Sequence, residues 1–254
     1  MIHPLSIGPL VLDYLDTPEN ITTHSMFQHG LNIQIADYLI YLGDMTKGTV
    51  PFGIHFNVAD FIEIKRVIES DFPIYEFDNE ILSINKIKID LSHIPIKNKE
   101  AFPKFVSLNR ALLSLSQYRK GTGYPFAELE CLKTIDIDTI PSLVDELIGR
   151  GKGLTPSGDD FLVGIMAIHQ LQPFLPLAFF RRLEEYIEKK ATTDVSISYL
   201  NASKLGYFSS PIVEVLKNIE SSDLPSYLEK LAASGSTSGK DTIAGMKWAI
   251  LMQK

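Results

Sequence analysis

One phrase occurs twice in this chain. Ser157-Gly158-Asp159-Asp160-Phe161-Leu162-Val163-Gly164 and Ser238-Gly239-Lys240-Asp241-Thr242-Ile243-Ala244-Gly245 both fit Ser-Gly-x-Asp-x-(Leu/Ile)-x-Gly, and both run into an apolar stretch. Chance does not readily repeat five specified positions. The repeat predicts two similar turn-to-helix corners, each built to bury the helix that follows. If the two corners converge, they form one polar pocket for an anionic ligand.

Taken singly, Ser-x-x-Asp has the spacing of a capping box. Ser157 would then cap the backbone N–H of Asp160, the carboxylate of Asp160 would reach back, and Ser238 with Asp241 would do the same. Gly164 and Gly245 would let two helices approach closely. The surroundings of the first copy point further. Gly149-Arg150-Gly151-Lys152-Gly153-Leu154-Thr155-Pro156-Ser157-Gly158 is rich in glycine, which permits positive φ and lets a ligand touch the backbone. Consecutive exposed N–H groups ahead of a helix make an anion-binding nest that the helix dipole reinforces. Arg150 and Lys152 would add positive charge.

Asp159 and Asp160 repel a phosphate unless something lies between. A bound Mg²⁺ held by Asp159 and Asp160 is one resolution. A ligand amide hydrogen-bonded by a carboxylate is a second, and Asp160 capping its helix while Asp159 faces the site is a third. The second copy, Gly235-Ser236-Thr237-Ser238-Gly239-Lys240-Asp241, sets three hydroxyls in a row and replaces the first Asp by Lys240. Two better-known phosphate loops are excluded. Gly153 and Gly158 have the Walker spacing, but Asp159-Asp160 stand where Lys-Ser/Thr is required. Gly151-Lys152-Gly153 lacks the third glycine and the preceding strand of a dinucleotide fingerprint.

The rest of the chain limits the class. The net charge of −7 argues against a general nucleic-acid binder, which needs a basic face. Cys131 stands alone, which excludes an internal disulfide or a Cys-rich zinc site and fits a reducing cytoplasm. The start, MIHPLSIGPLVLDYLD, lacks the basic and apolar segments of a signal peptide, and no apolar run is long enough for a bilayer. The expectation is a soluble cytoplasmic protein with no membrane partner.

The first part reads as β-rich: strands are expected at Leu31–Ile35, Phe61–Lys65 and Ile87–Leu91, with Gly43, Gly48, Pro51 and Gly53 as turns. Ser92–Pro103 reads as a connector. From Phe105 the apolar spacing turns helical through Leu108, Leu112 and Leu115. Pro141 is expected to open a helix, and further helices are expected at about 160–171, 176–190, 195–205, 211–219, 224–233 and 239–252. The fold class is therefore α+β, with a β-rich domain over 1–100 and a helical domain over 101–254 carrying both motifs.

The residues Gly151 to Gly164, as Gly-x-Gly-Leu-Thr-Pro-Ser-Gly-Asp-Asp-Phe-Leu-x-Gly, resemble the signature of the AllH-like family. Gly235 to Asp241 is similar to that family's C-terminal Gly-(His/Ser)-(Ser/Thr)-Ser-Gly-x-Asp element. Thr192-Thr193-Asp194-Val195-Ser196, followed by Tyr199-Leu200 and Ala202, resembles its middle element, and His24-Ser25-Met26-Phe27 a Ser-x-Phe patch near its N-terminus. The resemblance implies a role in carbamoyl transfer. The family includes a subunit of oxamate carbamoyltransferase of allantoin degradation, a branch of purine catabolism, which passes a carbamoyl group between oxamate and phosphate and needs companion subunits.

On this reading Ser157, Asp159, Asp160, Ser238 and Asp241 are the candidate catalytic residues. Arg150, Gly151, Lys152, Gly153, Thr155, Gly158, Ser236, Thr237, Gly239 and Lys240 are the candidates for holding a small anion such as phosphate, carbamoyl phosphate or oxamate. N–H and hydroxyl donors would stabilise the oxyanion formed when the carbamoyl carbon is attacked. Two rival readings remain open: a non-catalytic ligand-binding or regulatory subunit, and a nucleotide-dependent transferase or ligase using Mg²⁺. Of the histidines, His169 is expected to pack on its helix, and His24 and His29 have the wrong spacing for two ligands on one helical face. The run Arg181–Lys190 reads as a solvated helix face. Tyr199, Asn201 and Ser203 are expected to pack in the ordinary way.

Overall fold

The computed structural model describes residues 1–17, 20–70, 72–94, 100–103, 107–116, 121–126 and 139–253, and the chain divides into two compact units, 1–100 and 101–254. Phe105 and Cys131 lie outside the described residues.

The first unit runs β1 (Ser6–Ile7), α1 (Val11–Leu15), β2 (Ile21–Met26), β3 (Gly30–Ile35), β4 (Tyr38–Asp44), β5 (Gly53–Phe56), α2 (Val58–Ser70), β6 (Tyr75–Asp78), β7 (Ile81–Ile84) and β8 (Ile87–Asp90). Among the described residues one sheet has the order β1-β5-β4-β3-β2, with β4 and β5 parallel and the other pairs antiparallel. A second, β6-β7-β8, is an antiparallel meander. Leu31, Ile33, Ile35, Leu39, Ile40 and Leu42 give the larger sheet its buried side chains. Ser25 lies beside a bulge in β2, where it accepts from the Asn32 amide at 3.0 Å and meets His24 Nδ1 at 3.0 Å.

Two local expectations fail here. Phe61–Lys65 is not a strand but the middle of α2. Its apolar residues Phe61, Ile64 and Ile68 recur at helical spacing and are the buried ones. Asn57 supplies the start signal, its Oδ1 accepting the Asp60 N–H at 2.9 Å. Gly43 and Gly53 are not turn residues either: Gly43 pairs with Gly30 inside the β3–β4 ladder, and Gly53 begins β5. The Tyr41 ring explains the pair, since a Cβ on Gly30 or Gly43 would fall 2.2 Å or 2.4 Å from ring atoms. Gly48, with φ of 88°, does turn the chain.

The second unit runs α3 (Leu108–Leu115), α4 (Ser142–Leu147), α5 (Ser157–Leu171), α6 (Leu177–Glu188), α7 (Asp194–Lys204), α8 (Ser210–Lys217), α9 (Leu224–Ala232) and α10 (Ser238–Leu251), with no strand among its described residues. The α+β reading therefore stands. α5 is apolar around nearly its whole circumference and is correspondingly buried, from Phe161 to Ile168 without a break. Its partner is α10. A Cβ on Gly164 would lie 2.1 Å from the Thr242 carbonyl oxygen, and one on Gly245 would lie 2.0 Å from that of Phe161. The repeated glycine is thus the point where the two helices touch backbone to backbone.

His169, near the end of α5, packs as expected. Its Nδ1 accepts from the backbone N–H groups of Phe174 and Leu175 at 2.9 Å and 3.0 Å. Burial lowers its pKa, so the ring is neutral with its proton on Nε2. On the α6 face, Arg182 pairs with Asp145 and Glu185, and Glu184 with Lys204. Among the described residues no helix is long and apolar enough to cross a membrane.

Candidate functional site

The two repeats build the same corner. In each, the glycine after the serine lies against the end of the preceding helix: a Cβ would fall 1.8 Å from the Leu147 carbonyl oxygen for Gly158, and 1.7 Å from that of Leu231 for Gly239. In each, that glycine's N–H returns to the loop, Gly158 to the Arg150 carbonyl at 2.8 Å and Gly239 to the Ser234 carbonyl at 3.1 Å. Helix, glycine loop and helix recur with one packing solution because one local sequence dictates it.

The corners meet crosswise rather than closing on themselves. Ser157 and Ser238 are the first residues of α5 and α10, and neither helix has a side-chain cap, so the capping-box expectation is not met. Instead the hydroxyls of Ser238 and Thr155 lie near the Asp160 carboxyl, and those of Ser157 and Thr237 near the Asp241 carboxyl, where each pair favours the charged form. Positions 160 and 241 correspond in the repeat, as do 157 and 238, so each Asp reaches the serine of the other copy. The hydroxyls of Thr155 and Ser238, 2.7 Å apart, tie the two loops together. The helices adjoin at their N-termini, and two macrodipoles bring partial positive charge to one place.

The carboxylates are deeply placed. Asp159 is 2% exposed, Asp160 8% and Asp241 0%. Burial pushes the Asp160 pKa well above the usual carboxylate range, and the negative charge of Asp241 pushes it further, against the pull of Ser238 and Thr155. Burial also raises Asp241, although the Gly123 N–H and the Ser157 and Thr237 hydroxyls favour its charged form. Asp160 Oδ2 and Asp241 Oδ2 are buried without a well-formed hydrogen bond among the described residues. Native interiors seldom leave such atoms unpaired.

Asp159 has a different task. Its Oδ1 accepts from the Gly149 N–H at 2.7 Å and its Oδ2 from the Thr192 hydroxyl. The next residue, Thr193, donates its hydroxyl to the Leu154 carbonyl and accepts the Ser196 N–H, which caps α7. The middle motif therefore clamps the first glycine loop at two points. Ser196, 1% exposed, is the α7 side chain that turns toward Asp159. Asp159 and Asp160, adjacent in sequence, thus face different partners. Among the described residues no group of three or more His, Cys, Asp or Glu side chains is placed to hold a metal ion.

The loop itself is open. Gly151 and Gly153 have φ of 121° and 92°, and Gly151, Lys152, Gly153 and Leu154 are exposed. Among the described residues, the N–H groups of residues 151–155 meet no acceptor, and neither do those of residues 235–238. Both stretches have the character of an anion nest. Of the basic residues, Arg150 is folded back: its guanidinium bonds the Glu146 carbonyl oxygen and carboxylate and the Tyr124 hydroxyl. Lys152 is exposed, and Lys240 is half-buried near Asp241, whose charged form it favours. Ser236 is exposed at the loop surface.

One segment at the site escaped sequence reasoning. Residues 121–126 lie over the paired corners. The Gly123 N–H donates to Asp241 Oδ1 at 2.9 Å, and a Cβ on Gly123 would fall 2.4 Å from Ser157 Oγ and 2.7 Å from Thr237 Oγ1. Tyr124 meets Arg150, and Phe126 packs against Phe161 in a tilted arrangement with ring centroids 4.5 Å apart. The signal was present as Gly121-Thr122-Gly123-Tyr124-Pro125, a short glycine-rich turn with no repeat to single it out. Two surface hollows, one lined by residues such as Asp16, Tyr75 and Asp78 and the other by residues such as Val67 and Phe72, are formed within the first unit alone.

Residues 147–250 match the family model described as oxamate carbamoyltransferase subunit AllH. The matched segment takes in both Ser-Gly-x-Asp elements and the Thr192–Ser196 clamp, and over it the family resemblance read from the motifs holds. It does not reach His24–Phe27. No solved structure matches the chain.

Proposed function

We propose that this chain is a subunit of a carbamoyltransferase, working with companion subunits and binding a small anionic substrate of the oxamate or carbamoyl phosphate kind at the joined corners. The observation that carries this reading is the crosswise pairing of the two motifs inside the segment that matches the oxamate carbamoyltransferase family. Transfer to oxamate joins the oxamate nitrogen to the carbamoyl carbon. The bond from that carbon to phosphate breaks, phosphate leaves with the electron pair, and the nitrogen gives up a proton.

Each part of the site has a use in that chemistry. The free N–H groups of residues 151–155 and 235–238 hold phosphate or carboxylate oxygens, with Lys152, Lys240, Ser236 and Thr237 adding charge and donors. Backbone N–H groups and the Ser157 and Ser238 hydroxyls stabilise the oxyanion as the carbamoyl carbon becomes tetrahedral. Asp160 and Asp241 lie at the centre as proton-handling groups, their raised pKa values bringing them toward the range where an acid or base works at neutral pH. Asp159 and Arg150 serve as braces for the loop.

The test is release of phosphate from carbamoyl phosphate in the presence of oxamate, by the chain alone and with its companion subunits. The assembled enzyme is expected to be active, and Asp160→Asn and Ser238→Ala to lower kcat by about 100-fold or more. Full activity in both variants would leave this chain as a non-catalytic partner.

A further inference from the structure

We propose that the unpaired oxygens of Asp160 and Asp241 accept hydrogen bonds from the –NH₂ group of a primary-amide or carbamoyl ligand, so that the site distinguishes an amide from a ketone or a second carboxylate. This rests on the function proposed above and names what that site recognises.

The argument begins with what the folded chain leaves undone. Asp160 Oδ2 and Asp241 Oδ2 are buried acceptors with no well-formed hydrogen bond among the described residues, although hydroxyls crowd both carboxyl groups. The hydroxyls of Thr155 and Ser238 are engaged with one another, and Asp241 Oδ1 is taken by the Gly123 N–H. In the charged form that a ligand donor favours, a carboxylate is an acceptor only, so what completes these two atoms is a donor. An –NH₂ group carries two N–H donors diverging from one nitrogen, and here two acceptors come from the corresponding positions of two adjoining helices.

The loops around the pair supply the opposite character. The nests of residues 151–155 and 235–238 offer donors to an anion, while the carboxyl pair disfavours one. The ligand that fits is therefore short and two-ended, an anionic group at one end and an amide at the other. Lys152 lies in the first loop, on the anion side of this division, and Lys240 lies in the first turn of α10 near Asp241. Gly123 bounds the site tightly on one side: a Cβ there would fall 2.4 Å from Ser157 Oγ, 2.7 Å from Thr237 Oγ1 and 3.3 Å from Asp241 Oδ2.

Three small acids separate the possibilities. Oxamate carries –NH₂ where pyruvate carries –CH₃, at equal charge and nearly equal shape, and oxalate carries a second carboxylate there. Titration calorimetry on the full chain assembled with its companion subunits is expected to show oxamate binding about tenfold or more tighter than pyruvate, because the analogue leaves both carboxyl oxygens unpaired. Oxalate is expected to bind weakest of the three. Asp160→Asn is expected to bring oxamate and pyruvate to within about threefold and to improve oxalate relative to both, since the charge that repels it is gone. Asp241→Asn is expected to act in the same direction, and the wild-type comparison decides the matter even if that buried variant does not fold.

Equal binding of oxamate and pyruvate by the wild type would overturn the amide assignment while leaving carbamoyl transfer intact. Preserved discrimination in a folded Asp160→Asn variant would overturn it as well. No binding of oxamate, phosphate or carbamoyl phosphate to the active-site assembly, together with no phosphate release, would remove both this inference and the function it rests on.

Discussion

A single buried carboxyl group sets the pH behaviour of the site. The Asp160 pKa is raised on folding above its unfolded value of about 3.9. Its contribution to stability is therefore fully present below about pH 4 and is lost as pH rises through the folded value. Asp160→Asn cannot titrate. Relative to the wild type it is expected to gain stability as pH rises from about 4 toward the folded value, read as the difference in urea midpoints, and a difference that stays flat with pH would contradict the raised pKa. His169 works in the opposite sense. Its lowered pKa keeps it neutral in the fold, so its contribution is complete above about pH 6.5 and is lost on acidification. Thr192 makes a sharper residue-scale test. Thr192→Val keeps the shape and removes the hydroxyl that Asp159 Oδ2 accepts from, at an expected cost of about 1–3 kcal/mol in chemical denaturation.

At the scale of elements, the decisive contact is α5 against α10. Both helices carry a glycine where the partner's backbone lies, and the atoms nearest each Cβ position are backbone, which cannot give way as a flexible side chain does. Gly164→Ala and Gly245→Ala are each expected to destabilise by about 1–3 kcal/mol, despite alanine's better helix propensity. A stabilising outcome for either would mean that the helices do not touch there. Gly153→Ala is the contrast within the same motif region. No atom lies within 4 Å of its Cβ position, and its cost comes only from a φ of 92°. The local rule Ser-x-x-Asp fails at this scale because the packing of two helices brings the serine of the other copy to each Asp.

Across the whole molecule, the second unit carries the means to fold by itself. Its apolar core runs from Leu108 to Ile250 and draws on α3, α4, α5, α6, α7, α8, α9 and α10. A fragment spanning 101–254 is expected to be helical by circular dichroism and to melt in one cooperative step. A broad, non-cooperative loss of signal would show that the core needs residues 1–100. The same fragment contains every residue of the candidate site, so ligand binding by it measures directly what the first unit contributes.

The amino-acid sequence alone determined the class, the helices of the second unit and the identity of the two corners, because helical periodicity, glycine placement and a repeated phrase are properties of neighbours along the chain. It misread Phe61–Lys65 for the same reason: five residues alternate well enough for a strand, and only the longer Phe61, Ile64 and Ile68 spacing with the Asn57 cap settles a helix. What the tertiary structure decided was partnership. Which serine faces Asp160, why Asp159 turns to Thr192, and that Gly123 covers Asp241 are outcomes of packing between segments 33 to 118 residues apart. Hydrogen bonds at such separations leave no period in a sequence. They form only after α5 and α10 bury their apolar faces and carry the polar corners together.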